Sequence, residues 1–342
     1  MEATNRRADP TAAEPDRPLA ALEAALQTVL EGQERTIRLS LACLLARGHL
    51  LLEDAPGTGK TTLSRAIARA VGLEFRRVQM TADMMPSDIT GARYPAAELD
   101  RTAPGSSLLE QRFHFVPGPV FGELILADEL NRTPPRTQSA LLEAMAERSV
   151  TIEGETHPLP DPFFVVATQN PAEFAGTFPL PESQLDRFMM RLAPGYPSRD
   201  AELRVLRARR GADPLDRLEP VMSREDLRGA MNAAADVHVA PPVEGYLLDL
   251  VAATRDPEQF ELGASPRATL DLDAAARAHA HLDGRSAVIP SDVRDLAPAV
   301  LGHRVVPLDM VAPGSSHAAA LLDALLDTVP APRLEDDGSL RA

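Results

Sequence analysis

Apolar residues follow two rhythms along this 342-residue chain, and the rhythm changes near residue 197. Before that point, short and nearly continuous apolar runs alternate with longer stretches of helical period. His49-Leu50-Leu51-Leu52-Glu53 lies between a glycine and a Pro-Gly-Thr-Gly loop, and Phe75 to Gln79, Glu123 to Ala127, Phe163 to Thr168 and Phe188 to Leu192 follow it. Short apolar runs bounded by turn residues are the signature of strands buried on both faces. Leu63, Ile67, Ala70 and Val71 mark one face of a helix behind the first run. Gln138 to Glu147 reads as another helix, and Leu19 to Ala46 as two helices broken at Gly32. This alternation predicts an α/β fold, with a parallel sheet covered by helices on both faces.

Beyond Gly195-Tyr196-Pro197 the strand signal disappears. Ala201 to Arg209, Arg224 to Ala234, Val243 to Ala253, Arg267 to Leu282 and Ser291 to Leu301 read as amphipathic helices joined by polar or proline-containing links. The expected organisation is a disordered tail over 1–17, a sheet domain over 18–196, an all-helical domain over 197–329 and a flexible acidic tail over 330–342. No fixed-period repeat is visible.

Composition narrows the picture. Apolar residues make up 44% and aromatics only 4%, with no tryptophan, so the core is expected from Leu, Val and Ala. The net charge of −15 argues against a surface that coats nucleic acid. The single cysteine, Cys43, sits in an apolar run and is expected as a small buried residue. No apolar run reaches membrane-spanning length and no signal-peptide core is present, so a soluble cytoplasmic protein without membrane insertion is expected.

The candidate chemistry starts at one residue. Lys60 is the only lysine among 35 basic side chains, the rest being arginine. It stands in Asp54-Ala55-Pro56-Gly57-Thr58-Gly59-Lys60-Thr61-Thr62. There, glycines let backbone N–H groups turn towards a phosphate at a helix N-terminus, and a slim ammonium can reach between the β- and γ-phosphates. Thr61 would give its hydroxyl to Mg²⁺. The usual phosphate-loop pattern has glycine where this chain has Asp54, whose charge must then point away from the phosphates. Leu124-Ile125-Leu126-Ala127 ends in Asp128 and Glu129: Asp128 would hold the magnesium shell, and Glu129 would polarise an attacking water. Asn170 leaves the fourth run as a polar amide, Arg187 precedes the fifth, and Arg267 opens a helix of the second domain. Taken singly, each has an ordinary alternative. Acidic residues commonly end strands, Asn-Pro is a turn dipeptide, and the two arginines read as surface charges. His279 and His281, two apart on a predicted helix, make a poor metal pair.

Together these segments resemble the AAA+ ATPases, and within them the MoxR family. The resemblance rests on H-L-L-L-E-D-A-P-G-T-G-K-T, L-A-D-E-L-N-R-T-P-P-R-T-Q-S-A-L-L-E-A-M, A-T-Q-N-P-A-E-F-A-G-T-F-P-L-P-E-S-Q-L-D-R-F, A-S-P-R-A and P-S-D-V-R-D-L-A-P-A-V-L-G-H-R, and covers about residues 19 to 310. It implies a P-loop (AAA+) core followed by a helical lid. Lys60 and Thr61 match Walker A, Asp128 and Glu129 Walker B, and Asn170 the sensor-1 amide. Arg187 matches the arginine finger, Arg267 the sensor-2 arginine, and Gly32-Gln33 the segment passing the adenine. Gln79 is implied as a switch acting on Glu129. A helix-2 insert is implied near 90–119, with Arg93, Tyr94, Phe113 and Phe115 facing a pore, and a hairpin near 150–159. The implied activity is Mg²⁺-dependent ATP hydrolysis by a hexameric ring that remodels a client protein, often beside a partner with a von Willebrand factor A domain. A DNA-acting motor or loader and a non-hydrolysing ATP-gated scaffold remain the alternative readings.

Overall fold

The computed structural model describes residues 17–53, 57–95, 113–170, 176–208, 213–308, 316–334 and 340–341. Helices α1 (Arg17–Gln27) and α2 (Glu34–Leu45) lead into strand β1 (Leu50–Glu53), and α3 (Lys60–Val71) into β2 (Phe75–Gln79). A short helix α4 (Pro86–Thr90) opens the hairpin β3 (Gly91–Pro95) and β4 (Phe113–Pro117). Then come β5 (Leu124–Asp128), α5 (Pro135–Glu147), a second hairpin of β6 (Ser149–Ile152) and β7 (Glu155–Pro158), β8 (Phe164–Gln169), α6 (Glu182–Leu185) and β9 (Met190–Leu192).

Five strands form one parallel sheet in the order β2-β5-β8-β1-β9. The apolar runs alternate faces with period two, as side chains on a pleat must. Leu50, Leu52, Leu124, Leu126, Phe164 and Val166 enter one core. Leu51, Ile125, Ala127, Val165 and Ala167 enter the other, with α5. The first core also takes in α1, α2, α3 and the helices of the C-terminal region, so sheet and lid share one apolar body. At the β2 edge, Arg76 and Arg77 are exposed, and such charges discourage further strand pairing.

The remaining helices are α7 (Arg199–Ala208), α8 (Pro214–Arg217), α9 (Arg224–Ala235), α10 (Pro241–Ala253), α11 (Pro266–Leu282), α12 (Pro290–Leu301) and α13 (Ser316–Thr328). The region expected to be wholly helical also carries a two-stranded antiparallel ribbon, β10 (Phe260–Leu262) with β11 (Val306–Pro307). Strands of three and two residues are too short to show a period. Arg333–Leu334 pairs with Leu340–Arg341 in the stretch expected as a flexible tail. The break between α1 and α2 spans residues 28–33, where Gly32 takes φ +76° and a Cβ would come within 2.7 Å of Ala201.

The two hairpins form one body. Phe115 stacks on His157 with ring centroids 4.3 Å apart, and Arg93 pairs with Glu155 and Glu153. Phe115 and Arg93 are thus engaged with the second hairpin rather than presented outward, while Tyr94 is 54% exposed. The side chain of Phe113 and residues 96–112 lie outside the described residues.

Candidate active site

The strand order places the chemistry. Because β8 lies between β1 and β5, the residues following all three strands emerge at one edge of the sheet, with Ala127 opposite Ala167 and Glu53 opposite Gln169. Ligands of open parallel sheets bind at this carboxyl edge.

The phosphate loop ends at Gly59 (φ +91°), and α3 begins at Lys60. Gly57 has φ +87°, and a Cβ there would meet nothing within 4 Å. Left-handed backbone at two glycines aims successive N–H groups into one concavity. Thr58 is buried, whereas Lys60, Thr61 and Thr62 are half-buried at the mouth. Gln33 donates from Nε2 to the Thr58 carbonyl at 2.9 Å, bracing the loop from α2. Asp54, Ala55 and Pro56 lie outside the described residues.

Asp128, Glu129, Thr168 and Gln79 converge. The Thr168 hydroxyl donates to Asp128 Oδ1 at 2.7 Å and accepts from the Glu129 N–H at 2.8 Å. Gln79, opposite Asp128 in the β2–β5 register, donates from Nε2 to Glu129 Oε2 at 2.9 Å. Arg77, on the same face of β2, donates to Asp128 Oδ2 at 2.6 Å, and Arg132 lies 3.2 Å from Glu129 Oε2. A cavity of about 240 Å³ opens beside Gln79, Glu129, Arg132 and Gly176.

Glu129 is held at φ 60°, ψ 49°, a left-handed conformation. For a residue with a Cβ this costs roughly 1–2 kcal/mol. The Thr168 bond to its N–H and the charge pair with Arg132 hold it there, turning the carboxylate out of the strand line into the cleft. Thr168 escaped the reading of the sequence. Its one signal was a hydroxyl interrupting an apolar run at the level of Asp128.

Asn170 is 8% exposed at the end of β8, between the loop strand and the acidic strand. Arg187 is placed elsewhere. It precedes β9, whose Met190 aligns with Leu50 at the start of β1, so it sits at the edge of the sheet opposite the phosphate loop. Its Nη1 donates to the Leu142 carbonyl of α5 at 2.7 Å. Arg267 is exposed in the first turn of α11, behind the Ser265 cap.

The donor set fits a magnesium triphosphate. N–H groups at a helix N-terminus suit phosphate, and the hydroxyl of Thr61 and the carboxylate of Asp128 are the kind of hard oxygen ligand that Mg²⁺ takes. His279, Asp283 and Asp292 also converge within 4.8 Å. There, however, Arg285 binds both Asp283 and Asp292, and Arg38 pairs with Asp283, so guanidinium groups supply the counter-charge. Asp292 is held below the usual carboxylate range, because bonds from His279 and Arg285 outweigh its burial.

Comparison with known proteins bears on the same residues. Residues 49–190 match the ATPase family associated with various cellular activities (AAA), and residues 252–323 match the AAA lid domain. The chain is 39% identical to Chaperone MoxR1 of Mycobacterium tuberculosis over 318 residues, covering 90% of this chain and 81% of that protein. The chain belongs to the MoxR family of AAA+ ATPases. As a member of it, this MoxR-family protein is an ATP-hydrolysing enzyme with a P-loop core and a lid. It is also 46% identical over 282 residues to the uncharacterised protein YeaC of Bacillus subtilis, covering 82% of this chain and 84% of that one. A crystal structure of a proposed ATPase from Cytophaga hutchinsonii superposes with a TM-score of 0.79 at 33% identity, covering 92% of this chain and 95% of the other. Among the described residues no helix is long and apolar enough to cross a membrane.

Proposed function

We propose that this MoxR-family ATPase is a chaperone-like machine that remodels or matures a partner protein, with ATP cleaved where one protomer meets the next. The observation carrying the reading is the division of the site between two edges of the sheet. Loop, carboxylates and Asn170 gather at one edge, and Arg187 lies at the other. An arginine that cannot serve its own loop suits a ring in which each protomer completes its neighbour's site, and a hexamer is the expected ring.

In this reading Lys60 and the N–H groups of Gly57 to Thr62 hold the phosphates, while Thr61 and Asp128 hold magnesium. The metal's chemistry is to neutralise charge on the phosphate oxygens. Glu129 orients and accepts a proton from the attacking water, and Asn170 fixes that water or the terminal phosphate by a hydrogen bond. Gln79 sets whether Glu129 points at the water or is held aside. Arg187 of a neighbour supplies transition-state charge, an effect worth roughly 10³- to 10⁵-fold where such fingers have been measured. Arg267, in the first turn of α11 beside the Asp186 turn, ties the lid to the nucleotide of the neighbouring protomer. Motion of the lid would pass through the paired hairpins to the client, and a protein with a von Willebrand factor A domain is the proposed adaptor. The setting proposed is cytoplasmic.

The test uses mixed rings. Lys60→Ala should abolish ATP binding, and Glu129→Gln should bind without turnover. Arg187→Ala should be inactive alone but regain phosphate release when mixed with Lys60→Ala, whose intact fingers complete its sites. Absence of regain in mixtures that still co-assemble would refute the shared site. Capture from cell extract with Glu129→Gln would identify the client.

A further inference from the structure

Arg304 follows α12 and is 3% exposed, yet it lies among carboxylates rather than in solvent. Its Nη2 donates to Asp271 Oδ2, to the Phe188 carbonyl at 2.8 Å and to the Asp186 carbonyl at 3.1 Å. Its Nε lies 3.2 Å from Asp186 Oδ1 without hydrogen-bond alignment, and Nη1 is buried with no partner among the described residues. The preceding His303, also buried, donates from Nε2 to the same Phe188 carbonyl at 2.9 Å. Ser265, the N-cap of α11, donates to both oxygens of Asp186 at 2.9 and 3.1 Å.

The geometry of this network is specific. Asp186 and Phe188 flank Arg187, and two consecutive residues of the lid grip the turn that presents it. Asp271 lies one helical turn after Arg267 on α11, and the charge of Arg267 acts on its carboxylate. Burial pushes Asp271 above the usual carboxylate range, and the charge and hydrogen bond of Arg304 oppose that push. Arg304 joins Asp271 of α11 to the backbone of the Asp186–Phe188 turn, and Ser265 ties the start of α11 to the same turn directly, so Arg267 stands at the edge of the sheet where Arg187 lies. Burying a guanidinium with an unused donor is a poor way to stabilise a fold, since an apolar side chain of similar size often does as well. A spare Nη1 donor also leaves room for a second arrangement in which lid and turn have shifted.

We infer that Arg304 is a positioning residue that locks the lid to the Arg187 turn, so that the placement of the lid sets how Arg187 is offered to the next protomer. This rests on Arg187 acting across the interface. Arg304 itself meets no nucleotide in this assignment. Its removal should therefore spare the protomer's own loop and damage the neighbour's turnover, roughly 10- to 100-fold for a displacement of about an ångström.

The experiment compares Arg304→Met and Arg304→Lys in the full-length protein, with Asp271→Asn as a second variant that keeps side-chain shape if Arg304→Met fails to fold. Affinity for an ATP analogue is read by calorimetry, and phosphate release is read alone and in rings mixed with Lys60→Ala. The expected result is analogue affinity within about threefold of wild type, a rate loss in pure rings and recovery in mixed rings, because Lys60→Ala protomers bring intact turns. Arg304→Lys should be intermediate, keeping the charge without the fork. If Arg187→Ala is rescued by mixing but the Arg304 variants are not, Arg304 acts within its own site and the coupling is overturned alone. If neither is rescued, the shared-site reading falls first and the coupling with it. Loss of analogue affinity in folded Arg304→Lys would likewise overturn it.

Discussion

One hydroxyl bonds both the Asp128 carboxylate and the Glu129 N–H, and Thr168→Val measures what it contributes. Valine nearly matches threonine in volume at this buried position, so packing changes little and the loss is polar. The hydrogen bond to the ionised Asp128 at 2.7 Å is of the charge-assisted kind, worth about 1.5–3 kcal/mol. The Glu129 N–H, satisfied at 2.8 Å, would lose its acceptor at a further cost of about 1 kcal/mol, the low end because the site is partly solvated. The sum, about 2.5–4 kcal/mol, corresponds at about 2–4 °C per kcal/mol to a fall in Tm of roughly 5–16 °C for a domain of this size. It also exceeds the roughly 1–2 kcal/mol by which the left-handed Glu129 is strained, so the acid should relax out of line. We expect kcat to fall roughly 10- to 100-fold with ATP affinity changed less than about threefold. Thr168→Ser should restore most of both. Steady-state phosphate release, calorimetric binding and thermal melts decide the matter. A Thr168→Val protein with wild-type turnover and an unshifted melt would show that the hydroxyl positions nothing.

Three further expectations follow from the same geometry. Gln79→Leu removes the 2.9 Å bond that holds Glu129, a contact worth about 1 kcal/mol, so basal ATPase without client should rise about two- to fivefold at unchanged ATP affinity; a fall would assign Gln79 a supporting role. Glu129→Gly should abolish hydrolysis while leaving Tm unchanged or up to about 4 °C higher, because glycine accepts φ 60° freely and the exposed pair with Arg132 is worth little; a marked loss of stability would argue against backbone strain there. Burial, then the charge of Arg148, pushes the imidazole of His49 down to about 3 from 6.5. Its folded pKa is lowered, so its stability contribution is present above pH 6.5 and lost as pH falls through the window down to about 3. By pH 5 that loss is about 2 kcal/mol for His49, and buried His303 acts in the same direction. Urea midpoints that stay level between pH 7 and 5 would contradict this.

Much of the architecture was legible in the chain. The central strands β1, β5 and β8 showed themselves as apolar runs, because a strand covered on both faces excludes polar side chains, whereas β2 at the sheet edge carries the exposed Arg76 and Arg77. The long helices showed themselves by period, and Gly57, Gly59 and Lys60 by the backbone and charge that a phosphate requires. Asp128 and Glu129 could be named as candidates from their position at the end of an apolar run. The order of strands could not, because strand pairing joins residues more than a hundred positions apart. Nothing in the composition of β8 says that it inserts between β1 and β5. That insertion brings Thr168 against Asp128, while the pairing of β2 with β5 sets Gln79 beside Glu129 and that of β9 with β1 sends Arg187 to the far edge. The grip of His303 and Arg304 on the Asp186–Phe188 turn is likewise a product of packing, since it joins segments 115 to 118 residues apart. One-dimensional pattern therefore determined which pieces exist and what chemistry they carry. Three-dimensional pairing, driven by burial of both sheet faces, decided which of those side chains meet.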